Sequence, residues 1–194
     1  MKYLLVFIIS FLLGGISFSY ILGMLFKHVD IRTMGSKNAG ATNAYRSFGL
    51  KIGLLSLVGD MAKAIISVYI GKYLLGMNGA VFAMIIVVLS HMYSYILGFK
   101  GGKGVASAGG SLLIIDWRIF LIVISIFIVV FLITKIVSIS SITAAASVPF
   151  VVLGFYGMSN PFMFIGLTFV VVMIIYKHKS NIIRLKNGEE KKLI

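Results

Sequence analysis

Apolar residues gather into seven stretches along the chain, at about residues 3–26, 52–75, 80–99, 104–115, 119–134, 136–157 and 161–176. A helix needs about 20 apolar residues to cross about 30 Å of hydrocarbon, and several of the stretches have that length. The first resembles a secretory signal ending at Ser17-Phe18-Ser19. Its apolar run continues to Phe26 and only Lys2 precedes it, so it reads as an uncleaved first span. The fourth is short: its twelve residues reach only about 18 Å as a helix. The 16-residue fifth and seventh are also short for a span. The pattern predicts an all-α fold, a polytopic membrane helical bundle of about seven transmembrane helices, as a single membrane domain over residues 1–194. No long-period repeat and no low-complexity segment interrupts it.

Composition agrees. Apolar residues are 60% of the chain and mean hydropathy is +1.08, far above a soluble domain. A core of 194 residues cannot hide that much apolar surface, so lipid must cover the rest. Cysteine is absent, which excludes disulfides, thiolate nucleophiles and Cys-based metal sites.

Charge sets the direction of the spans. The net charge is +13, and on a soluble protein that would suggest nucleic acid. Here the basic residues flank apolar spans, which reads as positive-inside topology and contact with anionic headgroups. With seven crossings and the amino terminus outside, segments 27–51, 100–103, Lys135 and 177–194 lie inside and hold 14 of the 18 Lys and Arg. Lys2, Lys72 and Arg118 lie outside, and Lys63 lies within a span. Were the short fourth stretch not to cross, the basic cluster from Lys177 to Lys192 would fall opposite the 27–51 segment. Seven crossings therefore fit the charge bias better, and the short span is expected to be buried among other helices, where tilt and local thinning are tolerable.

Three polar constellations stand out. The first packs small residues, amides and cations into Gly35-Ser36-Lys37-Asn38-Ala39-Gly40-Ala41-Thr42-Asn43-Ala44-Tyr45-Arg46. Glycine lets backbone N–H groups approach an oxyanion, while Ser, Asn and Arg donate to its oxygens. A Gly/Asn turn with Arg46 and Lys51 anchored to lipid phosphates is the competing reading, and composition leaves both open. The second, Phe99-Lys100-Gly101-Gly102-Lys103-Gly104-Val105-Ala106, opens the short fourth stretch. A Gly-rich loop at a helix start presents N–H donors and the positive end of the dipole, and Lys103 adds a full charge. It is not a Walker loop, since Leu97 and Gly104 stand where Gly and Ser/Thr are required. Helix packing explains glycines as well, but three in four residues around one lysine favour anion binding.

The third follows the last stretch: Lys177-His178-Lys179-Ser180-Asn181-Ile182-Ile183-Arg184-Leu185-Lys186-Asn187-Gly188-Glu189-Glu190. His178, Asn181 and Arg184 step by three, so a helix places them on one broad face. His178 is the best general-base candidate near neutral pH. Taken alone, the segment is better read as a basic amphipathic tail on the membrane, with Ile182, Ile183 and Leu185 dipping in.

Within the spans, Asp60 and Lys63 are three apart and read as a mutually paired couple. His91 is placed to cap or orient the second loop. Ser138 and Ser141 share a helix face, though serines often bond back to their own helix. There is no Gly-x-Ser-x-Gly elbow, no two-His zinc motif and no catalytic acid pair. No Asp lies five residues after any His, which excludes the His-x4-Asp signature of common glycerolipid acyltransferases.

At these constellations the chain resembles the PlsY family, the bacterial acyl-phosphate:glycerol-3-phosphate acyltransferases. The matching text is Gly35-Ser36-x-Asn38-x-Gly40-Ala41-Thr42-Asn43-x-x-Arg46, then Phe99-Lys100-Gly101-Gly102-Lys103-Gly104-Val105-Ala106, then His178-x-x-Asn181-Ile182-x-Arg184-Leu185-x-x-Gly188-x-Glu190. Asp60-x-x-Lys63, His91 and Val137-Ser138-x-x-Ser141 also fall in family positions, so the resemblance runs across nearly the whole chain. Lys37 departs from the common Gly, and Tyr45 from the usual Leu or Phe.

The resemblance implies acyl transfer from acyl phosphate to the 1-hydroxyl of glycerol 3-phosphate, giving lysophosphatidic acid and phosphate, an early step of bacterial phospholipid synthesis. It implies seven spans in the cell (inner) membrane and an active site facing the cytoplasm. Carried over by position, Ser36, Arg46, Lys103 and His178 are the catalytic candidates. Asn38, Gly40, Asn43, Gly101, Gly102, Gly104, Ser138, Ser141, Asn181 and Glu190 are the substrate-binding ones. Expected partners are the two phosphate substrates and membrane lipids, with no nucleic acid, no cofactor and no metal. The proton of the attacking hydroxyl goes to His178 or to a substrate phosphate, and sequence leaves both open. A small-anion membrane transporter is the alternative function, since helix-end Gly loops and intramembrane charges serve transport too.

Overall fold

The computed structural model describes residues 1–193, and every regular element in them is helical. The helices are α1 (Lys2–Gly15), α2 (Phe18–Lys27), α3 (Ala41–Phe48), α4 (Leu50–Met92), α5 (Val105–Ile115), α6 (Trp117–Thr134), α7 (Val137–Tyr156), α8 (Pro161–Lys177) and α9 (Lys179–Lys186). Short 3-10 turns lie at Ile31–Thr33 and Tyr95–Leu97. The all-α membrane bundle read from the sequence is what the structure shows. The apolar stretches recur as helices, with one subdivided and two joined. The first breaks at Ile16–Ser17 into α1 and α2. The second and third join as the two arms of α4, which turns at Gly76 with φ 66°. The arms fold back so closely that a Cβ at Gly71 or Gly79 would run into the other's carbonyl. Such small-residue contact is how helices approach where no water drives association.

Two compact units are distinguished, Met1–Ile115 and Asp116–Ile194. In the first, α4 is the central support. Gly14 sits against Val87 and Ser90, Gly59 against Phe18, and Gly110 against Met61. The end of α1 leaves carbonyls that hydrocarbon could not solvate. Side chains from elsewhere in the unit supply the donors: Ser90 to Phe11, Tyr95 to Leu12, Ser94 to Gly15 and Lys63 to Gly14 and Ile16.

Helix α5 is as short as the sequence says, 11 residues or about 16 Å. Two side-chain contacts fix where it lies. Ser107 at its start donates to the Asp60 carbonyl in the middle of the first arm of α4. At its end the Ile114 carbonyl accepts from Lys72, close to the Gly76 turn, at 2.6 Å. The helix therefore runs beside the half of that arm that leads to Gly76. The chain reaches the level of Asp60 at Ser107, three residues past the Gly-rich segment.

In the second unit α7 packs against α6 and α8. Asp116 caps α6 by accepting from the Arg118 backbone N–H at 2.8 Å and from the Tyr156 hydroxyl at 2.5 Å, so it ties the start of α6 to the end of α7. The Arg118 guanidinium grips the same carboxylate and holds it far below the usual carboxylate range. Asn160 caps α8 ahead of Pro161, the position where a missing N–H is harmless. In α6 only Ile119 is buried within the described residues, the pattern of a helix left to lipid.

Candidate active site

The first constellation forms a loop whose centre is an amide. Asn43, 2% exposed, donates from Nδ2 to the carbonyls of Ile31, Met34 and Asn38 at 3.0–3.1 Å. Its Oδ1 accepts the Ser36 backbone N–H at 2.9 Å. The side chain holds the loop that the sequence expected it to complement as a substrate donor. Gly35 lies so close to Asn43 Oδ1 that a Cβ would overlap it, and its φ of 52° also favours glycine. Lys37, the departure from the common Gly, takes a left-handed φ of 58°, which is why glycine suits that position. Gly40 starts α3 as its N-cap. Ser36 and Arg46 are exposed, whereas Asn38 and Gly40 are half-buried.

Upstream, Arg32 grips Asp30 through Nε and Nη2, with Nη2 at 2.7 Å, and donates from Nη1 to the Leu97 carbonyl at 2.8 Å. That contact lowers the Asp30 carboxyl below its ordinary range. The sequence reading missed this clamp, which ties the first loop to the turn before the second. An acid and an arginine two residues apart were its only trace.

The second loop is anchored before it is offered. The N–H groups of Gly101 and Gly102 donate to the carbonyls of Met92 and His91 at 3.3 and 3.1 Å. These two donors were expected to face an anion, and they instead dock the loop onto the end of α4. A Cβ at Gly102 would strike the His91 ring and come 2.8 Å from the Ala39 carbonyl, so the first and second loops touch here. Gly104, at φ 83°, faces Met92 and Val88. In α5, Ala108 bonds back to Gly104, so the N–H groups of Val105, Ala106 and Ser107 precede the helix's own ladder and give its positive end. Lys103 lies between the anchored glycines and that helix start, half-buried.

In the second unit the sequence candidates Ser138, Asn181 and Glu190 do come together. Glu190 accepts from Ser138 Oγ at 2.8 Å, from Asn181 Nδ2 at 2.6 Å and from Arg184 Nε at 2.6 Å. Burial raises the Glu190 pKa, but the three donors outweigh it and hold the carboxyl below its ordinary value. Ser138 does not bond back to its own helix, whereas Ser140 does, to Ile136. Ser141 is buried one turn along. The segment after α8 is therefore built around a carboxylate, where the sequence alone favoured an amphipathic tail. His178 stands at the junction of α8 and α9, 3% exposed, with Nδ1 2.8 Å from the Ile174 carbonyl. A carbonyl can only accept, so Nδ1 carries a hydrogen and a neutral ring keeps its lone pair on Nε2.

The family model described as glycerol-3-phosphate acyltransferase matches residues 4–188. Glycerol-3-phosphate acyltransferase of Carboxydothermus hydrogenoformans is 38% identical over 186 residues, covering 96% of this chain and 94% of that protein. The Alkaliphilus metalliredigens enzyme of the same name is 41% identical, covering 98% and 95%. The fold is similar to the crystal structure of PlsY (YgiH), an integral membrane glycerol 3-phosphate acyltransferase, in its glycerol 3-phosphate form. That match has a TM-score of 0.94 and 34% identity, over 99% of this chain and 96% of that one. The lysophosphatidic acid form matches with a TM-score of 0.91 at 33% identity, over 99% and 95%.

Proposed function

The chain belongs to the glycerol-3-phosphate acyltransferase family, and on that premise we propose that it acylates the 1-hydroxyl of glycerol 3-phosphate with acyl phosphate as donor. It is an integral membrane acyltransferase. The observation that carries the donor assignment is the meeting of two Gly-containing loops at Ala39 and Gly102, each with its own cation, Arg46 and Lys103. Both substrates are phosphates, and a reaction that brings two anions together needs clustered cations and N–H donors. The acyl chain of the donor stays in the bilayer. The product, lysophosphatidic acid, is bound in one of the similar crystal structures, and glycerol 3-phosphate in the other.

The hydroxyl oxygen attacks the carbonyl carbon of the mixed anhydride, the C–O bond to phosphate breaks, and phosphate leaves. Acyl phosphate is already activated, so orientation and charge neutralisation lower most of the barrier. The hydroxyl proton passes to a substrate phosphate oxygen. Ser36, Arg46 and Lys103, with Asn38, Gly40 and the α5 start, hold phosphate. Ser138, Ser141, His178 and Asn181 hold glycerol 3-phosphate. Glu190 and Asn43 act through the groups they fix, Glu190 through Asn181 and Asn43 through Ser36. Each constellation faces the cytoplasm of the bacterial cell, the side to which the charge bias assigns all three.

The test is direct. Purified protein incubated with palmitoyl phosphate and labelled glycerol 3-phosphate is expected to form lysophosphatidate without metal or nucleotide. Palmitoyl-CoA in place of the phosphate is expected to give none. Comparable turnover with the thioester would place this chain with a different donor class.

A further inference from the structure

Beneath the Gly-rich loop lies a group of charges that the acyl-transfer chemistry does not use. Asp60, Lys63 and His91 are 1%, 3% and 3% exposed. Lys63 Nζ lies 3.0 Å from Asp60 Oδ1, 2.8 Å from His91 Nδ1 and 3.0 Å from the Gly14 carbonyl, and it also donates to the Ile16 carbonyl. Asp60 Oδ1 is 3.7 Å from His91 Nδ1. Two carbonyls and a carboxylate oxygen around one nitrogen match the three N–H groups of an ammonium, one of which is shared with His91 Nδ1. An ammonium donating to Nδ1 leaves the imidazole hydrogen on Nε2. Nε2 is the atom that the α-carbon of Gly102 faces, while the His91 carbonyl accepts the Gly102 N–H.

Capping α1 alone would not require this arrangement. Serines and a tyrosine cap neighbouring carbonyls without burying charge. An ion pair within a span is costly and earns retention through function or specificity. Its reach to His91 connects the centre of the span to the loop that the proposed reaction depends on.

We propose that Asp60, Lys63 and His91 are positioning residues for the Gly101–Gly104 loop: the ion pair holds the His91 ring through Nδ1, and that ring packs against the backbone of Gly102, beside the carbonyls of His91 and Met92 that accept the Gly102 and Gly101 N–H groups. The first turn of α5 continues from the loop to the Asp60 carbonyl through Ser107, so the charges lie beside the helix that the loop opens. That the loop binds a phosphate substrate rests on the proposed function above, whereas the ordering of the loop does not.

The experiment uses the full chain in lipid nanodiscs, and the absence of cysteine makes site-specific nitroxide labelling simple. Asp60→Asn with Lys63→Met removes both charges together and leaves no buried charge unpaired. A label on Lys103→Cys is expected to gain mobility in that background, while one on Tyr73→Cys, exposed at the far end of the arm, is unchanged. His91→Leu is expected to loosen position 103 in the same way. His91→Asn, whose Oδ1 can replace the Nδ1 acceptor, is expected to restore most of the order. In the unlabelled double variant the KM of one phosphate substrate is expected to rise about tenfold, with kcat and the other KM within about threefold. Unchanged mobility at position 103 overturns the proposal. So does equal loosening at positions 73 and 103, which would make the charges a general brace. A correct mobility pattern in a protein that does not turn over acyl phosphate leaves the positioning intact and removes the donor assignment.

Discussion

Asn43 holds the Ser36 backbone N–H at 2.9 Å from seven residues further along the chain, so a side chain on α3 sets the position of a residue proposed to touch phosphate. Asn43→Ala leaves that N–H and three carbonyls without their partner. A buried unsatisfied group costs about 1–3 kcal/mol, so the expected result is a loss of turnover of about 10²-fold or more. Asn43→Asp is the sharper test. It keeps an acceptor for Ser36 but turns a donor into a second oxygen facing the three carbonyls. Activity is expected to fall as far as in Asn43→Ala, and normal turnover in a folded Asn43→Asp protein would show that the loop sets itself without the amide.

The apolar stretches, the charge bias and the three polar constellations were legible in the sequence because each is a local pattern. The roles of Asn43, Gly101, Gly102 and Glu190 were not. A buried amide or carboxylate looks the same in sequence whether it meets substrate or its own chain. Only the fold shows that Asn43 bonds to its own loop, and that the Gly101 and Gly102 donors belong to His91 and Met92. The shortness of α5 was legible but its placement was not, since that depends on Ser107 meeting the Asp60 carbonyl and Lys72 meeting the Ile114 carbonyl. The Asp60–Lys63 pair was readable from spacing, and its extension to His91 across 28 residues was not.

Side-specific labelling tests the topology. Cysteines placed singly at Ser36 and Ser180, both exposed in their own units, are expected to react with an impermeant thiol reagent from the cytoplasmic side only. Gly109→Cys, within α5, is expected to be shielded from both sides. Reaction of the Ser36 and Ser180 sites from opposite sides would mean that α5 turns back instead of completing a crossing.

Glu190 makes stability depend on pH with a defined sign. Its folded carboxyl is held below the ordinary value, so the stabilisation is complete above the unfolded pKa, about 4.3 for Glu. As pH falls below that value the unfolded chain takes up the proton first, and the contribution is lost as pH drops through the folded pKa. The melting temperature is expected to hold from pH 7 to about 5 and to decline below. Glu190→Gln places a donor against Asn181 or Arg184 whichever way it turns. It is expected to melt lower at pH 7, by about 1–3 kcal/mol of stability, and to show a weaker decline in acid. An acid decline as steep as in the unmodified protein would assign it to other carboxylates.

The last prediction separates grip from proton transfer. Lys103→Ala and Arg46→Ala each remove a cation assigned to phosphate, and loss of such a contact in a shielded site costs about 2–4 kcal/mol, or about 10²–10³ in rate. Retained activity in a folded Lys103→Ala protein would remove the role assigned to the second loop. His178 is different, because the Ile174 carbonyl orients its ring through Nδ1, which makes Nε2 the acceptor nitrogen of the neutral ring. If the substrate phosphate takes the proton, as proposed, His178 only grips glycerol 3-phosphate. His178→Ala then raises the KM for glycerol 3-phosphate about 10-fold or more while kcat changes little. If His178 is the base, kcat falls by about 10²–10⁴ and a titration near its pKa disappears from the pH–rate profile. His178→Gln sharpens the choice, since its amide reaches about as far as Nε2 and can hydrogen-bond a hydroxyl but cannot take its proton. Recovery of the glycerol 3-phosphate KM with near-normal kcat in His178→Gln is the expected result, and a kcat as low as that of His178→Ala would make the histidine the base.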